Sequence, residues 1–297
     1  MWAAGPPSRY ARASGPRRRG KSLPKEDELH ADRNRGTTRS ARSSSAPPRR
    51  APDQRVPDRQ VPTRRVAAEA ARRILLPLAL MALVTLGLGL LITKVLEHST
   101  LVAQDEAVSR EIAQERTPFW NEVTHYGSML SDTPVIIVVT TIMAILFRVV
   151  YGRLRESVFL VAVVCAQSAI FLLATVFAQR ARPHVPHLDP APPTSSYPSG
   201  HTSAAVAFYC GTALVLTLHT HRHTILNALW WLLGAGAALA VGLSRLYRGM
   251  HHLTDVSWGY VLGIFCVVVL AQALLLQPIT ASRRAATKRA VRGAALT

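Results

Sequence analysis

Six long apolar runs, separated by polar segments, dominate the sequence from residue 74 onward. They cover approximately residues 74–93, 133–151, 157–178, 202–218, 226–243 and 256–277. Each run is close to the ~20 residues that an α-helix needs to cross a hydrocarbon core of ~30 Å. The pattern therefore predicts an all-α fold, in which residues 66–278 form a six-transmembrane helix bundle.

The two ends of the chain are polar and strongly basic. Residues 1–73 contain 19 Lys and Arg against 7 Asp and Glu, and residues 278–297 contain 5 Lys and Arg and no acid. Residues 1–65 are rich in Arg, Ser, Pro and Ala and cannot bury enough apolar surface to offset the entropy of ordering. We therefore expect a disordered basic N-terminal tail over residues 1–65 and a basic C-terminal tail over residues 279–297.

The position of this charge favours a membrane partner. Basic residues in flexible ends beside apolar runs suit attraction to an anionic inner leaflet, whereas a basic patch on a folded domain would suggest nucleic acid. The lipid bilayer is thus the expected partner, and nucleic acid is not expected. Cys165, Cys210 and Cys266 each lie inside an apolar run. They are interpreted as small buried hydrophobic residues, with neither a disulfide nor a metal site implied.

The charges of the connecting segments predict the orientation. The segment before the first run, the short loop after the second run and the C-terminal tail are all basic, which places both termini in the cytoplasm. Residues 94–132, 179–201 and 244–255 then face outward, and the first of these segments has seven acids against three bases. Its length predicts one or two helices at the membrane surface over about residues 101–122. We assign no chemistry to it.

Two of the outward loops are rich in groups that suit phosphate. Arginine supplies a planar fork of donors that stays charged at any working pH, and Arg182 and Arg245 lie in different loops. The Ser199-Gly200-His201 turn opens the fourth apolar helix, so its free N–H groups and positive dipole end suit an anion. Gly200 permits close backbone approach and an unusual φ.

Two histidines in these loops have complementary possible roles. His251 and Asp255 are four residues apart at a helix start, so we expect both side chains on one face. The carboxylate would then accept one imidazole N–H and leave the other nitrogen free as a nucleophile or base. His201, in a separate loop, is placed to protonate a departing oxygen. This pair fits an in-line phosphoryl transfer with no metal or other cofactor.

Together these motifs resemble the type 2 phosphatidic acid phosphatase (PAP2) superfamily, which contains lipid phosphatases and vanadium haloperoxidases. That family is marked by Lys-x6-Arg-Pro, Pro-Ser-Gly-His and Ser-Arg-x5-His-x3-Asp. The second motif is complete at residues 198–201, and the third is complete from Ser244 to Asp255. The resemblance covers approximately residues 120–275. In the first motif, Thr175 stands where the family has lysine.

The resemblance implies a role for each matching residue. His251 would be the nucleophile that forms a phosphohistidine, Asp255 its orienting residue and His201 the general acid. The phosphoryl oxygens would be bound by Arg182, Ser199, Gly200, Ser244 and Arg245. Candidates for the cation that replaces the missing lysine are Arg180, His184, His187 and Arg248.

These features predict a multi-pass cell-membrane enzyme with its active site on the outer face. Its expected substrate is phosphatidic acid, phosphatidylglycerophosphate, or a polyprenyl phosphate or diphosphate. The missing lysine keeps open a catalytically weak or inactive phospholipid-binding protein. A vanadate-dependent haloperoxidase is disfavoured because those enzymes are soluble. A transporter is disfavoured because the polar groups cluster at one interface rather than along a path through the helices. The oligomeric state stays open.

Overall fold

The computed structural model describes residues 63–191 and 193–276, with side chains from residue 71 onward. Within these ranges the chain is helical and contains no strand. The predicted tails lie outside the described residues, except that the first helix begins at Thr63, inside the last three residues of the predicted N-terminal tail. The expected disorder of residues 1–65 therefore remains a prediction.

The described part of the chain forms nine α-helices, three of which are followed directly by a π-helical segment. The helices are α1 (Thr63–Leu90), α2 (Thr100–Gln114), α3 (Pro118–Met129), α4 (Thr133–Tyr151), α5 (Arg155–Ala178), α6 (Gly200–Ala205), α7 (Gly211–His219), α8 (Thr224–Tyr247) and α9 (Leu253–Leu270). The π-helical segments are Leu91–Val95 after α1, Val206–Cys210 between α6 and α7, and Ala271–Leu276 after α9.

Six spans in this arrangement are long and apolar enough to cross a membrane, as the sequence predicts. They are Ala71–Val95, Thr133–Tyr151, Arg155–Ala178, Gly200–His219, Thr224–Tyr247 and Leu253–Leu276. Each contains or coincides with a predicted run to within a few residues. The six-transmembrane all-α fold is therefore confirmed.

The core of the bundle lies where α5 packs against α1, α4 and α9. Phe159, Leu160 and Val163 of α5 and Leu262 of α9 are fully buried there. Cys266 is buried in the same core, as predicted, and Cys210 is partly buried. The expectation was wrong for Cys165, which lies exposed on the outer surface of α5. An apolar run alone does not distinguish the helix face that meets other helices from the face that meets lipid.

The polar segment between the first two spans forms α2 and α3, in agreement with the one or two helices predicted there. Both helices pack against α8, and α2 also contacts α9. Thr124 and Ser128 of α3 and Asp105 of α2 are buried in these contacts. The two helices therefore bring polar side chains to the ends of α8 and α9.

Two left-handed residues direct the chain at the same end of the bundle. Helix α5 ends at Gln179, whose φ of 48° turns the chain into the proline-rich loop that leads to α6. Helix α8 is followed by Gly249, whose φ is 74°. A Cβ atom at Gly249 would lie 2.8 Å from Arg116 and Val185, so both the conformation and the close packing require glycine.

Candidate active site

The predicted site residues come together at one end of the helix bundle. Arg182 follows the end of α5, His201 opens α6, Arg245 lies in the last turn of α8, and His251 precedes α9. The charges of Arg182, His201, Arg245 and Asp255 all act on the His251 imidazole. Three segments that are distant in sequence thus form one polar cluster.

His251 is buried, with 4% of its surface exposed. Its Nδ1 lies 2.6 Å from the backbone oxygen of Ser196. A carbonyl oxygen only accepts hydrogen bonds, so Nδ1 carries the proton and Nε2 keeps its lone pair. Burial and the positive charge of Arg245 hold the pKa of His251 well below the ordinary value of 6.5. The imidazole is therefore neutral near pH 7, the state that a nucleophile requires.

The direct contact predicted between His251 and Asp255 is wrong. Both oxygens of the fully buried Asp255 have other partners: Oδ2 accepts from the backbone N–H of His252 at 2.9 Å, and Oδ1 accepts from Arg180. The expected i,i+4 geometry requires that both residues lie in one helix, but α9 begins at Leu253. Asp255 therefore acts on His251 through its charge and through the backbone it fixes, not through a hydrogen bond.

Arg180 serves the structure of the site rather than supplying a free cation. Its Nη2 donates to Asp105 at 2.8 Å, and its Nη1 donates to Asp255 and to Thr254. Burial alone would lower the pKa of Arg180, but the two carboxylates outweigh burial and raise it. The residue thereby joins α2 and α9 to the loop that follows α5.

Arg182 and Arg245 each have a buried N–H group with no partner in the part of the chain whose side chains are described. Arg182 Nη1 donates to the backbone oxygen of Met250 at 2.6 Å, and Arg245 Nη1 donates to Ser128 Oγ at 2.8 Å. The Nε of each arginine is buried and has no hydrogen-bond partner among residues 71–191 and 193–276. A buried donor left unpaired costs roughly 1–3 kcal/mol. The two Nε–H groups thus mark where an anion would be stabilised.

Ser199 and Gly200 lie at the start of α6. The buried Ser199 hydroxyl lies 2.9 Å from Thr202 Oγ1, and its backbone N–H donates to the Asp255 backbone oxygen at 3.0 Å. The unusual φ predicted for Gly200 is wrong, since the described glycines with positive φ are Gly152 and Gly249. A Cβ atom at Gly200 would lie 2.8 Å from the Phe171 ring. Close packing against α5, not backbone conformation, excludes a side chain there.

The predicted phosphate contact of Ser244 is not supported by its geometry. Its hydroxyl donates to the backbone oxygen of Ala240 at 2.7 Å, within α8. It also faces α3 so closely that a Cβ atom at Gly127 would lie 2.3 Å from it. A hydroxyl has a single proton, and that proton is used inside the helix. Ser244 therefore packs α8 against α3 while its neighbour Arg245 faces the site.

His201 contacts the segment that precedes α4, which sequence reasoning left without chemistry. Its Nε2 lies 3.1 Å from Asp132 Oδ1, and its backbone oxygen accepts from Ser131 Oγ at 2.7 Å. Residues 94–132, to which we assigned no chemistry, therefore contribute two contacts to a predicted site residue. In the sequence, the feature that could have indicated these contacts is the polar pair Ser131-Asp132 directly before the membrane helix α4.

Asp189 places a carboxylate among the site arginines. The proline-rich loop holds it 3.0 Å from Arg245 Nη1 and 2.7 Å from Arg248 Nη2. Burial alone would raise the pKa of Asp189, but the hydrogen bond and charge of Arg248 lower it. Arg248 is thus engaged by a carboxylate of the protein itself.

The other candidates for the missing lysine also have protein partners. His187 Nε2 lies 3.1 Å from the Pro183 backbone oxygen, while His184 is exposed and lies 3.7 Å from Glu106. Thr175 is buried and donates to the Phe171 backbone oxygen. Of the described cations that act on His251, Arg182 and Arg245 each keep a buried Nε–H without a hydrogen-bond partner.

A mostly apolar groove of about 670 Å³ lies between α2, α3 and α8. It is lined by Ile112, Trp120, Val123, Leu243 and Leu246, and Ser244 forms part of its wall. The groove therefore borders the helix turn that carries Arg245.

Comparison with known proteins gives one consistent family. Residues 156–277 match the family model of the PAP2 superfamily. The chain is 28% identical over 190 residues to phosphatidylglycerophosphatase B of Bacillus subtilis (strain 168). This alignment covers 61% of this chain and 89% of that protein. The fold of the present chain matches the crystal structure of a transmembrane PAP2 type phosphatidylglycerolphosphate phosphatase from Bacillus subtilis. The TM-score is 0.58 at 21% identity, and the match covers 64% of this chain and 94% of that one.

Proposed function

Because this chain belongs to the PAP2 superfamily and is a membrane lipid phosphatase, we propose that it cleaves a phosphate monoester or diphosphate through a phosphohistidine on His251. The observation that carries the proposal is the buried neutral imidazole of His251, which lies within the influence of Arg182 and Arg245. Each of these arginines has a buried Nε–H with no hydrogen-bond partner in the described part of the chain. A free Nε2 is the attacking atom, and the arginine donors are the binding groups for the phosphoryl oxygens.

The reaction follows from the positions of the two histidines. In the first step, His251 Nε2 forms a bond to phosphorus while the bond from phosphorus to the leaving oxygen breaks. His201 gives a proton to that oxygen, so the lipid product leaves as a neutral alcohol or as the shorter phosphate. In the second step, His201 removes a proton from water, the water oxygen bonds to phosphorus, and the N–P bond breaks to release phosphate. This sequence needs no metal ion.

The hydrogen-bond donors around His251 lower the free-energy cost of burying a phosphate dianion in the site. Arg182 and Arg245 supply charged N–H groups that stay protonated near neutral pH, although burial lowers the pKa of Arg182. The backbone N–H of Gly200 lies in the first turn of a 20-residue helical span, where an anion is favoured. Charge develops on the phosphoryl oxygens in a buried site, where each such interaction is stronger than in water.

The membrane setting and the relatives point to the substrate class. The apolar groove bordering Ser244 offers a surface compatible with a lipid. The curated relative is a phosphatidylglycerophosphatase, and phosphatidylglycerophosphate is accordingly the first candidate. Phosphatidic acid and a polyprenyl phosphate or diphosphate satisfy the same chemistry.

We place the site on the non-cytoplasmic face, with both termini in the cytoplasm. The support is the distribution of basic residues in the loops at the opposite end of the bundle. A membrane-impermeant thiol reagent applied to intact cells should label a cysteine introduced at Glu122 and spare one at Arg153. The reverse labelling would invert the orientation.

The activity is tested by phosphate release from a panel of lipid phosphates and diphosphates, with purified protein in EDTA. Wild-type protein should release phosphate from at least one of them, and His251→Ala should release none. Hydrolysis that disappears in EDTA would contradict metal independence. Saturable lipid binding without any hydrolysis would favour a non-catalytic phospholipid-binding protein.

A further inference from the structure

We propose that Asp132, at the mouth of α4, is a positioning residue that orients the His201 ring for proton transfer and favours its protonated form. Its Oδ1 lies 3.1 Å from His201 Nε2. The inference rests on the proposed function, because it assigns His201 the proton donor role in that reaction.

The local structure directs Asp132 toward His201. Asp132 is the N-cap residue of α4, a position whose side chain commonly accepts an N–H of the first turn. Here its side chain makes no such capping hydrogen bond and contacts the imidazole instead. The preceding residue, Ser131, donates to the His201 backbone oxygen at 2.7 Å. Two consecutive residues therefore fix both the ring and the backbone of His201.

This contact determines which nitrogen of His201 is left for proton transfer. A carboxylate only accepts, so Nε2 carries a proton and Nδ1 is the nitrogen left for exchange with the substrate. Nδ1 has no hydrogen-bond partner in the described ranges 71–191 and 193–276. Burial disfavours the imidazolium, the form that can donate a proton, and the hydrogen bond and charge of Asp132 oppose that effect.

Neighbouring charged groups also act on His201 and Asp132. His201 experiences the charges of Arg245, Asp132 and Asp189, and Asp132 experiences those of His201, Arg245 and His125. The hydrogen bond from His201 is the largest cause that lowers the pKa of Asp132, so the carboxylate is ionised near neutral pH. Asp189 is held by Arg245 and Arg248, whereas Asp132 makes its described side-chain contact with His201.

The role of Asp132 predicts a dependence on the leaving group. An alkyl alcohol leaves poorly without a proton, whereas p-nitrophenolate leaves readily as an anion. Loss of the Asp132 charge should therefore slow phosphoryl transfer from a lipid phosphate far more than transfer from p-nitrophenyl phosphate. Water attack on the phosphohistidine needs His201 as a base in both cases, and this second step should slow equally.

The experiment compares Asp132→Asn with wild-type protein on phosphatidic acid and on p-nitrophenyl phosphate. We expect kcat/KM for the lipid to fall about 10- to 100-fold, which is part of the rate enhancement that a general acid usually provides. For the aryl ester, kcat/KM should fall less than about 3-fold. With p-nitrophenyl phosphate the variant should also accumulate phosphoenzyme, seen as a burst of p-nitrophenolate. His201→Gln should show the same split with a larger loss.

A purely structural role would give a different result. The matched control is Glu122→Gln, a charge removal on the exposed face of α3, which should leave both kcat/KM values unchanged. Equal losses on the two substrates, a weakened affinity for vanadate, or unchanged kcat/KM for the lipid would overturn the role of Asp132. A wild-type protein that hydrolyses neither p-nitrophenyl phosphate nor any member of the lipid panel would overturn the proposed function itself, and the role of Asp132 with it.

Discussion

His251 Nδ1 donates to the backbone oxygen of Ser196 at 2.6 Å, and the tautomer of the proposed nucleophile is therefore fixed by the main chain. Ser196 itself is held by a backbone hydrogen bond from its N–H to Arg180 and by its hydroxyl, which donates to Ala181. Asp255 fixes the other side of the site by binding His252 and Arg180. The orientation of the imidazole thus depends on the folding of the loop between α5 and α6.

Asp255→Ala should destabilise the protein as well as inactivate it. The substitution leaves the buried Arg180 with one carboxylate partner instead of two and removes the acceptor of the His252 N–H. Removing one partner of a buried ion pair typically costs about 3 kcal/mol or more. Thermal unfolding in detergent should show a clear decrease of the midpoint, whereas His251→Gln should unfold near the wild-type temperature. An inactive Asp255→Ala protein with wild-type stability would instead restore a direct catalytic role.

The pH dependence of kcat/KM should have its acid limb below pH 6.5. His251 must be neutral to attack, and its lowered pKa means that it becomes protonated only as the pH falls well below the ordinary value. Activity is therefore retained as pH decreases through 6.5 and is lost at lower pH, where the imidazole gains its proton. A profile of kcat/KM for the aryl ester measures the limb. A loss of activity centred above pH 6.5 would contradict the neutral, desolvated imidazole.

Arg182→Lys should weaken anion binding although it preserves the charge. Lysine cannot both donate to the Met250 oxygen and present a second N–H in the direction of Arg182 Nε. A charged hydrogen bond contributes about 1.5–3 kcal/mol, so vanadate affinity should fall roughly 10- to 100-fold. The matched control is Arg110→Lys on the exposed surface of α2, which should bind vanadate like the wild type. Equal affinity in both variants would remove Arg182 from the anion site.

Asp189→Asn should strengthen the binding of small anions. The Asp189 carboxylate occupies Arg245 Nη1 and Arg248 and places a negative charge beside the proposed phosphate position. Its neutral isostere keeps the shape of the loop but removes the competing charge, so the dissociation constant of vanadate should decrease about 3- to 10-fold. Calorimetric titration measures it. Weaker binding in Asp189→Asn would show that the carboxylate organises the arginines rather than competing for them.

The sequence was sufficient for the membrane fold because the hydrophobic signal is local. Each transmembrane helix satisfies its own backbone, so runs of about 20 apolar residues determine its position without knowledge of its neighbours. The same signal does not show which side of a helix meets lipid, which is why Cys165 was misplaced. It also does not show how α2 and α3 pack against the bundle.

The order of the motifs predicted that Arg182, His201 and His251 lie together. The spacing of the residues did not predict which groups they hydrogen-bond. Whether Asp255 meets His251 depends on where α9 begins, and a shift of that boundary by one or two residues changes the partner to His252. Asp132 lies far from the motifs in sequence, and Asp189 lies between two of them without being part of either; both make their site contacts only through tertiary packing. The carboxylates that contact the site through tertiary packing are therefore identified only by the three-dimensional structure.

The most direct measurement is the trapping of a phosphoenzyme. Wild-type protein is mixed with labelled substrate in EDTA, quenched in base after milliseconds, and digested for mass spectrometry. We expect an acid-labile, base-stable phosphoryl group on His251, formed and lost at rates consistent with turnover and absent from His251→Gln. Turnover that proceeds with the label on no histidine, or on a histidine other than His251, would contradict it.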